Sequence, residues 1–238
     1  MKVRLYVVYV IFLCVVTTIY AQDEQVIKTL VPDSTKVDNK YKEDQVYLGV
    51  TYNILLNRPA DVKQNNLSRG VQLGVIKDMP LNKRRNIALG VGLGYAYNAY
   101  FNNLQFLERD GGTWYRVVPD SVNYSRNRID AHLLEMPIEL RWRSSTASSY
   151  RFWRIYAGLK LGYLLAGNYK FVGDKREKFT ASDMSRFQAG LHLSVGYNTW
   201  NFYAYYGLRR LFDSNAVMET GESIDMHALK VGIIFYAL

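Results

Sequence analysis

The sequence predicts an all-β fold: an eight-stranded antiparallel up-and-down transmembrane β-barrel with short periplasmic turns and longer extracellular loops. Three observations predict it. About eight segments of roughly ten residues alternate apolar with polar or small residues. An apolar leader precedes them, and the connections sort into short and long. Ile87, Leu89, Val91, Leu93, Tyr95 and Tyr97 alternate with Ala88, Gly90, Gly92, Gly94, Ala96 and Asn98. Period two puts each set on one face of a strand. In a water-soluble sandwich or lipocalin-like barrel the apolar face would look inward; in an outer-membrane barrel it looks out to lipid.

The leader favours lipid. Residues 1–21 read as a signal peptide: Lys2 and Arg4 supply the charged start, Leu5 to Val16 the apolar run, and Ala21 the small residue before cleavage. As a membrane anchor the run is short, and Gln22-Asp23-Glu24 follows abruptly. Cys14 is the single cysteine and falls inside the leader, so disulfides and thiolate metal sites are not expected in the mature chain. Without Lys2 and Arg4, 28 basic residues face 21 acidic ones, a charge of about +7. That excess is spread over turns, loops and strands with no nucleic-acid-binding motif, so no nucleic-acid partner is expected.

Residues 22–44 are polar and charged and read as a flexible periplasmic segment, and 45–238 as the barrel domain. The first strand is expected near Val46 to Ile54, with Tyr47, Gly49, Thr51 and Asn53 facing in. The second spans about Gly70 to Asp78, and a tight turn from Pro80 to Asn86 feeds the third. The longest connection, Asn102 to Arg128, holds the turn signals Asp110-Gly111-Gly112 and Pro119-Asp120. The fourth strand covers about Ala131 to Arg143, the fifth Trp153 to Leu165, the sixth Phe187 to Tyr197, the seventh Phe202 to Leu211, and the last Met226 to Leu238.

Connections after the second, fourth and sixth strands are short; those after the first, third, fifth and seventh are long. Outer-membrane barrels sort their loops in this way, and a soluble sandwich has no reason to. Trp142, Phe152, Trp153, Tyr197, Trp200 and Phe202 cluster beside the short turns, while Tyr97, Tyr100, Phe101 and Phe106 lie towards the other rim. Two aromatic belts at the water–lipid boundaries follow. The expected location is the cell outer membrane, with membrane lipid and, during biogenesis, the barrel-insertion machinery as partners.

The segment His132 to Leu140, with Leu134-Glu135-Met136-Pro137-Ile138, resembles a strand of the PorT-like outer-membrane β-barrel family of Bacteroidota, whose members are also described as porin-like. Trp153 to Leu165 is similar to that family's aromatic–Gly–Gly–Tyr strand, and Tyr205-Tyr206-Gly207-Leu208 to its Tyr–Gly–Leu strand. The resemblance covers most of the chain from about residue 45. It implies an eight-stranded outer-membrane barrel and, as a role, a non-enzymatic subunit or assembly factor of an envelope complex such as the type IX secretion or gliding machinery.

Candidate sites follow from the alternation. Glu135, Glu139, Arg141, Arg154, Lys160, Arg186, His192, Arg209 and Lys230 are expected inside the barrel as a polar network. An eight-stranded barrel is just wide enough for side chains to fill. A packed plug of paired charges is therefore favoured over a conduit or ligand pocket, although Gly90, Gly92 and Gly94 leave room beside the third strand. His192-Leu193-Ser194 resembles the His–x–Ser pair of outer-membrane lipid A deacylases, but alternation turns both side chains inward, away from lipid. No catalytic, metal or cofactor site is expected; His132 and His227 read as rim histidines. Lys83, Arg84 and Arg85, with Arg143 and Arg151 nearby, form a possible periplasmic docking patch. Trp114, Tyr115 and Arg116 mark the long loop 102–128 as a possible extracellular binding loop, the basis of an alternative role as a stand-alone surface-binding barrel.

Overall fold

The computed structural model describes residues 44–64, 66–109, 112–144, 153–173, 176–197 and 200–237. The expected signal peptide, the expected periplasmic segment up to residue 43, Arg151 and most of the serine-rich turn at 144–149 lie outside the described residues.

The described residues form eleven strands: β1 (Gln45–Leu56), β2 (Arg69–Pro80), β3 (Ile87–Phe101), β4 (Leu104–Arg109), β5 (Gly112–Val117), β6 (Arg126–Arg143), β7 (Trp153–Val172), β8 (Arg176–Thr180), β9 (Phe187–Tyr197), β10 (Trp200–Gly207) and β11 (His227–Ala237). Eight of them close a barrel in the order β6-β3-β2-β1-β11-β10-β9-β7, with β6 pairing β7 to complete the ring. All pairings are antiparallel. The last strand closes on the first, Val46 opposite Ala237.

The alternation behaves as the sequence demands. On β1, Tyr47, Thr51 and Asn53 are buried, while Val46, Leu48, Val50 and Tyr52 are exposed on the outer wall. Outward apolar residues of the other barrel strands make a continuous lipid-facing band. The space expected beside the glycines of β3 is filled. The Tyr47 hydroxyl occupies the position where a side chain at Gly94 would start, and Arg141 Cδ lies 2.7 Å from the same point at Gly90. Beside β3 the interior is packed, not hollow.

The structure extends the expected elements at the extracellular side. The connection 102–128 is not a plain loop: β4 and β5 pair as a hairpin, Leu104 opposite Val117. β6 starts at Arg126 and β7 runs on to Val172, where β8 pairs with it, Lys170 opposite Lys178. A bulge between His132 and Leu133 inserts Leu165 as an extra residue on β7, re-aiming the strand as bulges do. β10, by contrast, stops at Gly207, short of the expected Leu211.

Candidate functional site

Two regions carry side-chain chemistry: the interior at membrane level and the extracellular cap. At membrane level Asp78 of β2 accepts from two arginines of β6. Arg143 grips it in bidentate fashion, at 3.0 and 2.9 Å, and Arg141 Nη1 donates to Oδ1 at 2.9 Å. All three side chains are fully buried. Arg141 also pairs with Glu139 (3.2 Å), donates to Gln45, and lies 4.2 Å from the Tyr156 ring centre. Higher up, Lys160 of β7 meets Glu135 (3.2 Å), Gln72 (2.7 Å) and the Tyr203 hydroxyl (2.8 Å). Lys230 of β11 approaches Glu135 at 3.7 Å, and His192 approaches Glu139 at 3.6 Å. Buried charges persist only when paired and hydrogen-bonded. The ladder registers bring these groups together from β2, β6, β7, β9 and β11, so that each acid has a cationic neighbour.

Seven of the nine expected interior residues, Glu135, Glu139, Arg141, Arg154, Lys160, His192 and Lys230, are buried. Arg186 and Arg209 are not: both are exposed. Arg186 lies in the bend before β9 and Arg209 in the bend after β10, where the pleat that would turn them inward has ended. Asp78, Gln45 and Gln72 belong to the network but were not among the expected residues. Asp78 and Gln72 have the inward parity of β2, and that parity was the signal for them.

Arg143 is a second correction. It is not a rim cation but the main partner of Asp78, and its Nε donates to the Arg85 carbonyl at 2.9 Å. Alternation, which also turns Arg141 inward, dictates this. Of the periplasmic trio, Lys83 and Arg84 are exposed, while Arg85 is half-buried with a left-handed backbone (φ 57°). His192 and Ser194 are both buried inside the barrel, with no hydrogen bond joining them among the described residues. His132 faces outward, its Nδ1 2.5 Å from the Tyr95 hydroxyl, and His227 contacts the Gly207 carbonyl (2.9 Å) and Asp225 (3.3 Å).

Above the charged layer the interior becomes apolar. Phe106 packs edge-on against Tyr115 (4.7 Å between centres) and Phe212 (6.2 Å), and lies 4.2 Å from Tyr169. Met184, Met218, Met226, Leu104 and Ile224 complete this core. The outer loops are cross-linked over it. Glu219 N donates to the Tyr115 carbonyl (2.7 Å), Ala60 N to Glu222 (3.2 Å), Lys63 N to Asn103 (2.7 Å), and the Tyr115 hydroxyl to Asp183 (2.9 Å). Burial, and next the neighbouring Asp183 carboxylate, hold the Tyr115 hydroxyl well above the usual tyrosine range.

The three loop residues named from sequence therefore divide. Trp114 is exposed, Tyr115 is buried in the cap core, and Arg116 is half-buried with its Nε on Gln105 (3.0 Å). A cavity of about 490 Å³ opens beside them, lined by Asp61, Lys63, Arg116, Asp120, Glu219 and Glu222 among others. The contribution of the 57–68 and 208–226 loops was invisible in the sequence, because they carry neither a period nor a motif.

Residues 20–213 match the family model described as an outer membrane protein beta-barrel domain. Among curated proteins no relative matches. Among solved structures, the chain is similar to the crystal structure of Ail, the attachment invasion locus protein of Yersinia pestis. Identity is 12%, 82% of this chain and 99% of that chain are covered, and the TM-score is 0.37. A second Ail structure, in complex with the heparin analogue sucrose octasulfate, matches at 13% identity over the same shares, with a TM-score of 0.35. The family match spans most of the chain and agrees with the closed eight-stranded ring and its lipid-facing band, so the chain belongs to the outer membrane protein beta-barrel domain family and resides in the outer membrane.

Proposed function

We propose that this protein is a non-enzymatic outer-membrane barrel that binds an external ligand at its extracellular cap. The observation that carries this reading is the cavity walled by three separate loops and held open by hydrogen bonds between them. A site on a preordered scaffold loses little entropy on binding. Its lining mixes Lys63 and Arg116 with Asp61, Asp120, Glu219 and Glu222, which suits a polar ligand carrying both charges, such as a peptide segment. The charged layer below supports binding over conduction, since fully buried ion pairs occupy the interior at that level. The inward burial of His192 and Ser194 supports a non-catalytic role.

The test is to pan a random peptide library on the purified barrel in lipid discs, alongside a Lys63→Glu/Arg116→Glu variant. Peptides enriched on the parent and lost on the variant are expected. Equal retention by both would remove the reading.

A second reading, a subunit of an envelope complex, is favoured by the exposed Lys83 and Arg84 at the tip of the β2–β3 turn. The resemblance to the PorT-like family makes secretion or gliding components the first partners to seek. Under this reading Lys83→Glu/Arg84→Glu lowers recovery of a periplasmic partner after mild cross-linking without reducing barrel assembly. Unchanged recovery speaks against it.

A further inference from the structure

The outer wall of β3, β6, β7 and β8 changes character along its height. On β6, ten residues separate the exposed Trp142 near the short turn from His132; on β7, ten separate Trp153 from Tyr163. At roughly 3.3 Å per residue and a tilt near 40°, ten residues rise about 25 Å, the height of the apolar band. Tyr95, bonded to His132, and Tyr163 thus mark the upper lipid boundary. From His132 to Arg128 the strand climbs four more residues, about 10 Å, and there the same wall turns basic.

Arg128 of β6 stands directly opposite Lys170 of β7, and Lys170 opposite Lys178 of β8. In the next row Arg126 and Arg176 flank Val172. Arg69 of β2 joins them, its guanidinium 5.9 Å from the Phe101 ring centre, the same distance at which Arg128 meets that ring. Like charges facing each other across a sheet are destabilising. Among the described residues one carboxylate offsets this set: Asp130, which pairs with Arg128 at 2.9 Å. Among the described residues no carboxylate lies within ion-pair distance of Arg69, Arg126, Lys170, Arg176 or Lys178. Below the boundary, on the lipid side, Leu93, Leu134, Met136, Leu161, Tyr163 and Phe187 line a mainly apolar groove of about 440 Å³ that Glu135, Gln188 and Arg209 also border. On β10, away from these rows, Tyr206 and Leu208 are followed by Arg209 and by Arg210, which is paired with Asp225 at 2.6 Å.

We propose that this wall binds an outer-leaflet glycolipid, with its phosphorylated head group on the basic rows and an acyl chain in the groove. The charge supplies the phosphate preference, and the groove distinguishes a lipid from a free anion. A head group bridging Arg128, Lys170 and Lys178 would relieve their mutual repulsion and staple the β6–β7–β8 ribbon to the membrane surface. This inference is independent of the cap cavity, which lies on loops elsewhere in the molecule.

The probe is bisphosphorylated lipid A in phosphatidylcholine discs holding the full barrel, with bound lipid counted by native mass spectrometry after detergent exchange. Lys170→Glu/Lys178→Glu is expected to lower lipid A retention by at least about tenfold, given roughly fivefold per basic residue near an anionic surface. Leu134→Trp, which fills the groove, is expected to lower it without touching the charges. Dephosphorylated lipid A should be retained no better than phosphatidylcholine. Heat-modifiable migration on gels checks folding, and Lys170→Gln/Lys178→Gln replaces the charge reversal if that variant fails to assemble. Retention within twofold of the parent in a folded variant would overturn the proposal, as would equal retention of the dephosphorylated lipid. Displacement of lipid A by millimolar inorganic phosphate would also overturn it, by showing a free-anion site.

Discussion

The barrel interior has two storeys built on opposite principles. At membrane level, Asp78, Arg141, Arg143, Glu139, Glu135 and Lys160 are held by ion pairs on rigid strands. Above the lipid boundary, Phe106, Tyr115, Tyr169 and Phe212 pack as a conventional apolar core. A soluble protein keeps charge outside and grease inside, and the cap obeys that rule because water surrounds it. The lower storey inverts it because its outer wall is already committed to lipid. The contrast shows that the polarity of an interior is set by what lies outside the wall at the same height.

The largest effect should come from the lower storey. Asp78→Ala removes the carboxylate that two buried arginines share and is expected to cost about 4 kcal/mol, the range for removing one partner of a buried pair. Urea unfolding from lipid vesicles, followed by heat-modifiable migration, measures it. An effect below about 1 kcal/mol would mean that water or rearranged partners hydrate this layer.

In the upper storey, Phe212→Ala is expected to cost about 3 kcal/mol in cap packing. Here the damage should be local: faster protease cleavage within 208–226, with the barrel still folded. Loss of the whole barrel would show that the two storeys fold as one unit.

Smaller still is the Tyr115→Phe change, which removes one hydrogen bond to Asp183, worth about 1 kcal/mol. Because the folded-state value of Tyr115 is raised, its contribution is fully present below the ordinary tyrosine value of 10.0 and is lost as the pH rises beyond it towards the folded value. The cap should therefore loosen in alkali, by protease sensitivity, and Tyr115→Phe should weaken that dependence. The smallest effect belongs to Lys83→Ala and Arg84→Ala, which should shift stability by no more than about 0.5 kcal/mol as exposed turn positions.

Legibility in the sequence followed the same division. Strand parity alone placed Glu135, Glu139, Arg141, Lys160, His192 and Lys230 inside, because the pleat enforces it residue by residue. Parity failed for Arg186 and Arg209 where the strands had ended, and Arg143 was misread as a rim residue although its parity was inward. The cap was hidden for a different reason. Phe106, Tyr115, Tyr169, Phe212 and Met226 are far apart in sequence, and only tertiary closure brings them together. The β4–β5 hairpin was legible as a turn signal at 110–112, yet its strands are only six residues each and carry no clean alternation.

The unequal strand lengths give the molecule a high back and a low front. β7 continues nine residues past Tyr163, the point where its neighbour β9 begins, or about 30 Å of extended chain. β6 and β8 flank that extension, while β10 ends at Gly207. In a crowded surface coat such a backrest would screen the cap from one side and leave it open on the other. Arrival at the cap would then have a compass direction in the plane of the membrane, so neighbouring copies could be productive or obstructive according to how each is turned.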